Sequence, residues 1–175
     1  MASDGPNYPA AAVNDAAFGS LSWSNPGNAV SSDNSDALAT AESGNTKYLK
    51  ATDFSMSIPG GATIDGIVVE VEKASQEGCV DARARIVKGG AIGSTDRSLV
   101  GNWPASDTFR THGGTSDLWG ESWSSSDFGS DFGFAIAATI NGDPGAAIVD
   151  SIRITVHYTA TAAAADPAVA FAANF

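Results

Sequence analysis

Ile148-Val149-Asp150-Ser151-Ile152-Arg153-Ile154-Thr155-Val156-His157-Tyr158 is the stretch that decides the fold. Ile152, Ile154, Val156 and Tyr158 fall on one face, while Arg153, Thr155 and His157 fall on the other. A period of two marks a strand with one buried face, because successive side chains of extended backbone point to opposite sides. This inward set is the most regular in the chain, so the strand is expected inside a sheet rather than at its edge, with Ile154 and Val156 buried. Just upstream, Phe132, Phe134, Ile136, Ala138 and Ile140 alternate with small Gly133, Ala135 and Ala137. Both faces of that segment read as covered, and the dense turn Asn141-Gly142-Asp143-Pro144-Gly145 joins the two.

The same period recurs further out. Ile67, Val69 and Val71 alternate with Val68, Glu70 and Glu72; Val80, Ala82, Ala84 and Ile86 alternate with Asp81, Arg83, Arg85 and Val87. Phe54, Met56 and Ile58 alternate with Asp53, Ser55 and Ser57 before Pro59-Gly60-Gly61 turns the chain. Weaker strand candidates lie at Arg97–Val100, Thr108–Thr111 and Leu21–Ser24, the last ended by Asn25-Pro26-Gly27-Asn28. A hairpin of 67–72 with 80–88 would set Glu70 opposite Arg85 and Glu72 opposite Arg83, matching charges. A jelly roll sends most consecutive strands to opposite sheets and would leave those charges apart. Ser124–Asp127 can cap one helical turn, and nothing else looks helical over ten residues. The chain is therefore expected to be all-β, a single sandwich or barrel domain over residues 21–160. Residues 1–20 read as an extended N-terminal arm and residues 161–175 as an apolar C-terminal tail.

Composition narrows the function. The 175 residues carry nine Lys and Arg against twenty Asp and Glu, a formal charge of −11. Phosphate backbones and anionic lipid would repel such a surface, so neither nucleic acid nor membrane is an expected partner. The single cysteine, Cys79, cannot form an intramolecular disulfide, and no Cys/His spacing offers a zinc site. The first residues lack the basic and apolar regions of a signal peptide and no apolar run approaches a membrane span, so the chain is expected to be made and kept in the cytosol.

Catalytic templates fail on residue type. His112 and His157 are the two histidines; His157 lies on a polar strand face, and no nucleophile elbow accompanies His112. There is no Gly-rich nucleotide fingerprint and no P-loop. Asp117 and Glu121, beside Trp119 and Trp123, could flank a sugar, yet carboxylate pairs arise by chance in so acidic a chain. Asp33, Asn34 and Asp36 supply oxygen ligands without the glycine and terminal Glu of a calcium loop. Accordingly no enzymatic activity, cofactor or metal is expected. Trp119 and Trp123 have two readings, sugar-stacking aromatics on a Gly-rich loop or a loop that folds back and plugs the sandwich.

Four blocks, read in order, go beyond a generic sandwich: Trp23-Ser24-Asn25-Pro26-Gly27-Asn28-Ala29; Tyr48–Phe54 running on to Ile58-Pro59-Gly60-Gly61-Ala62-Thr63-Ile64-Asp65-Gly66 and the strand to Glu72; Gly113-Gly114-Thr115-Ser116-Asp117-Leu118-Trp119-Gly120-Glu121-Ser122-Trp123; and Phe132-Gly133-Phe134 with Val149–Tyr158. Over roughly residues 20–160 the chain resembles the jelly-roll-like β-sandwich of tailed-phage virion proteins, including head decoration or cement proteins. The resemblance implies a structural protein, a homo-trimer on the outer capsid surface of the virion, bridging and stabilising subunits of the major capsid protein. It offers no catalytic motif. Tyr8, Phe18, Val169, Phe171 and Phe175, large apolar residues in small, turn-prone sequence at the two ends, are the expected partner contacts, the other reading being that the two ends wrap their own sandwich. The alternative is a glycan- or receptor-binding module of a tail, fibre or cell surface, for which Trp119 and Trp123 would be the contacts.

Overall fold

The computed structural model describes residues 1–161. It contains eleven strands: β1 (Ala2–Asn7), β2 (Ala11–Asp15), β3 (Ala37–Ala41), β4 (Gly44–Asn45), β5 (Tyr48–Thr52), β6 (Thr63–Gln76), β7 (Cys79–Lys88), β8 (Ala91–Ile92), β9 (Thr108–Gly114), β10 (Gly133–Ile140) and β11 (Gly145–Thr159). They form two antiparallel sheets packed face to face. The first has the order β1-β11-β6-β9, with β3 also paired to β11; the second has the order β2-β5-β10-β7-β8, with β4 also paired to β10. From β5 onward the chain passes from one sheet to the other at every step except the β7–β8 hairpin. That alternation is jelly-roll topology.

The regular strands are where the side-chain period put them. β11 is central, flanked by β1 and β3 on one side and by β6 on the other, and Ile152, Ile154 and Val156 are fully buried. From the facing sheet Phe134, Ile136, Ala138 and Ile140 of β10 close the core with Leu49, Ala84 and Ile86. Small residues on the other face of β10 are also covered: Ala135 and Ala137 pack with Tyr48 and Val87 under Phe18. Ser125–Asp127 is one 3-10 turn with a capping box on Ser124, and Pro26–Ala29 is another, entered through Asn25 in the left-handed region.

Five expectations are corrected. Residues 2–15 are not an extended arm outside the sandwich, because they supply an edge strand to each sheet, β1 against β11 and β2 against β5. Leu21–Ser24 contributes isolated bridges, to Thr46 and Leu38, rather than a strand. Phe54–Ile58 is irregular and Arg97–Val100 lies in the β8–β9 loop; Asp53 (φ 63°) and Ser55 (φ 50°) break the first of these, since a left-handed residue cannot continue a strand. The hairpin of β6 with β7 does not form, because the turn at Glu77-Gly78 carries the chain across to the other sheet. Glu70 instead pairs with Arg153 of β11 through two hydrogen bonds of 2.9 and 3.1 Å, and Arg85 turns to Asp96 at 3.7 Å. The tail beginning at residue 162, with Val169, Phe171 and Phe175, lies outside the described residues.

Candidate functional site

Of the residues singled out from sequence, few remain free to meet a partner. Trp119 is fully buried, its indole N–H donating to the Ile67 carbonyl at 3.0 Å and its ring edge-on to Phe134 at 5.8 Å. Gly113 (φ +70°) makes this possible, since a Cβ there would meet the Trp119 Nε1 at 2.7 Å. The loop plugs the sandwich, which removes Trp119 as a sugar platform. Trp123 is half-buried, stacked on Phe128 at 5.2 Å, with its N–H donating to Leu118. Asp117 is held by Arg97 through bonds of 2.6 and 3.0 Å, and that guanidinium keeps its carboxyl below the usual range.

Phe18, an expected partner contact, is half-buried over its own sheet, 5.7 Å from Tyr48 and under the Arg83 guanidinium at 4.7 Å. Tyr8 stays 38% exposed at the turn between β1 and β2. Asp33 closes its own loop through Ser31 and Ser35. Among the described residues, no group of three or more His, Cys, Asp or Glu is arranged to hold a metal ion, and no helix is long and apolar enough to cross a membrane.

The densest chemistry lies where sequence reading placed none. Lys73, Asp81, His112 and Trp103 meet between the sheets. Lys73 extends the inward series Ile67, Val69 and Val71 of β6 by one more step, and its side chain is 1% exposed. Asp81 belongs to β7, whose pairing with β10 skips a residue at Ala82, from Arg83↔Ala137 to Asp81↔Ala138. Such a bulge re-aims the side chains beyond it. Ala82, expected inward, therefore packs on the outer face, while Asp81, expected outward, points into the sandwich. His112 lies on β9 opposite Val69, with its ring 5.6 Å from that of Phe134.

Asp81 is the hub. Its Oδ1 accepts from the Lys73 ammonium at 2.5 Å and from the Trp103 indole N–H at 2.6 Å; its Oδ2 accepts from the Leu99 backbone N–H at 2.8 Å. The Lys73 Nζ also lies over the Trp103 ring at 4.6 Å and 3.5 Å from His112 Nε2. His112 Nδ1 is 2.9 Å from the Arg97 carbonyl. A carbonyl can only accept, so Nδ1 carries the proton and Nε2 presents its lone pair toward Lys73. Burial, followed by the Lys73 charge, pulls the His112 pKa below its ordinary value. Burial likewise lowers that of Lys73, against the pull of Asp81.

A cavity of about 220 Å³ opens beside this cluster, lined by Lys73, Asp81, Leu99, Asn102, Trp103 and Arg110 among others. Its wall is the β8–β9 loop, which is hydrogen-bonded to both sheets: Trp103 N–H to Cys79, Arg97 N–H to Ala84, and Ser75 N–H of β6 to Pro104. Thus the ionic cluster and the loop together tie the sheets along one side of the sandwich. Comparison of the chain with protein-family models, with curated proteins and with solved structures returned no match.

Proposed function

We propose that this chain is a structural virion protein, a capsid decoration or cement protein that binds the outer surface of a phage head and bridges major capsid subunits. The observation that supports this reading best is the N-terminal border of the sandwich. β1 and β2, joined by a turn of three residues, form an edge of each sheet, and three of the large apolar side chains left outside the core lie in this segment: Met1 (79% exposed), Val13 (53%) and Tyr8 (38%). Paired edge strands with apolar side chains invite association with another chain through backbone and side chain alike. A rigid sandwich tied between its sheets suits a part that must hold its shape on a particle. The apolar residues Val169, Phe171 and Phe175, which follow the last strand in sequence, offer a second anchor, and several modest contacts in a homo-trimer act together.

The chemistry of the surface fits a protein partner better than a glycan, since Trp119 is buried and Trp123 is stacked on Phe128. The test is retention on undecorated, expanded capsids after washing, comparing the unaltered chain with a Tyr8→Ser/Val13→Lys variant. The reading expects stable retention that the variant weakens at least tenfold while its thermal unfolding is unchanged. Full retention of the variant would remove the N-terminal border from the interface, and a strong glycan-array signal would favour the alternative module.

A further inference from the structure

We infer that Lys73 and Asp81 form an intramolecular amide, a covalent tie between the two sheets of the sandwich. The reacting groups already touch: the Lys73 Nζ is 2.5 Å from Asp81 Oδ1, and each side chain is 1% exposed. They come from strands of opposite sheets, β6 and β7, so neither can drift away without opening the sandwich. Holding an amine against a carboxyl in this manner converts a bimolecular condensation into an intramolecular one, where effective molarities are very large.

The surroundings supply what the condensation needs. Within the pair, one proton passes from the Lys73 ammonium to the Asp81 carboxylate, giving a neutral amine and a neutral acid; burial favours this uncharged form. The amine lone pair then attacks Cγ, forming the Nζ–Cγ bond. The proton passed to the carboxylate sits on Oδ1, the oxygen nearest Nζ, so Oδ2 carries the negative charge that develops and the Leu99 backbone N–H, 2.8 Å away, holds it, while the Trp103 indole N–H, 2.6 Å from Oδ1, orients the oxygen that departs. A second Nζ proton passes to His112 Nε2, whose lone pair faces Nζ, and from there to the departing hydroxyl. The Cγ–O bond breaks and one water leaves into the adjoining cavity. Of the three ammonium protons, one stays on the amide and two leave in the water, so nothing is oxidised or reduced.

Here His112 is a proton-transfer group, Leu99 is the oxyanion donor and Trp103 positions the departing oxygen, roles that no short sequence motif records. The inference is independent of the proposed virion role. It is tested by the intact mass of the purified, folded, full-length chain after denaturation, followed by peptide mapping. The expected result is a mass lower by one water, traced to a branched peptide joining Lys73 to Asp81. His112→Ala, folded by circular dichroism, should keep the unreacted mass or lose water far more slowly, and Lys73→Arg should never lose it. The full unreacted mass in folded wild-type protein overturns the inference. So does a lost water mapped to a succinimide at Asp65-Gly66 instead of to the Lys73–Asp81 branch.

Discussion

Asp150→Asn should stabilise the protein at neutral pH and do almost nothing in acid. Asp150 lies where the pairing of β11 with β6 skips from Val149 to Ser151, and it is 2% exposed. Its Oδ1 receives only a long bond, 3.4 Å, from the Asp33 N–H, while Glu72, which accepts the Ser151 hydroxyl at 3.0 Å, adds like charge. Burial first, then Glu72 and Asp36, pushes its carboxyl up to about 6 from 3.8. In the unfolded chain the group ionises near 3.8. As pH rises from about 4 to about 6 the unfolded state therefore loses a proton that the folded state keeps, and stability falls. The deficit is complete above about pH 6. That gap converts, at ~1.4 kcal/mol per pH unit, to about 3 kcal/mol at most. Asparagine keeps the oxygen that Asp33 uses and has no charge to bury. Urea unfolding at about pH 8 and about pH 4, with unchanged slope, reads the difference directly. A variant equally stable to wild type at both values, or destabilised more at high pH, would refute the burial argument.

Further outcomes follow from packing and charge. Ile154→Ala removes a fully buried side chain from the central strand and should cost about 2–5 kcal/mol in denaturant unfolding; a loss under about half a kcal/mol would contradict its central place. Asp81→Ala leaves the Lys73 amine buried with neither an ion partner nor a carboxyl to condense with, and should cost about 3–5 kcal/mol in denaturant unfolding. Glu70→Gln, at a pair whose side chains are each 25% exposed, should change stability by about 1 kcal/mol or less.

The parts of the fold legible in the sequence are those whose side chains obey a single period. β6, β10 and β11 are long, β-branched or aromatic on one face, and closed by Gly- and Pro-rich turns, so local pattern and tertiary burial agree. Residues 2–15 gave no such sign, because Ala, Ser, Asp and Gly carry little apolar contrast; they become strands by hydrogen-bonding to β11 and β5, a partner relation that no local window contains. Phe54–Ile58 misled in the opposite sense, since left-handed Asp53 and Ser55 break the strand despite correct alternation. The ionic cluster was hidden for two reasons. Lys73 stands at the next inward position of β6, where a charge reads as the end of a buried run, although extending the alternation one step would have flagged it. Asp81 is inverted by the bulge at Ala82, and nothing in Val80-Asp81-Ala82-Arg83 announces a bulge. Of the two expected partner contacts among the described residues, Tyr8 keeps an exposed place and Phe18 lies half-buried against Tyr48.

The most direct test of the proposed virion role is co-sedimentation of the purified chain with expanded, undecorated tailed-phage capsids. The account predicts saturable binding, with the chain remaining on the pelleted particles through repeated washing and raising the temperature at which they rupture. A chain that stays in the supernatant at every concentration, leaving particle rupture unchanged, would contradict it.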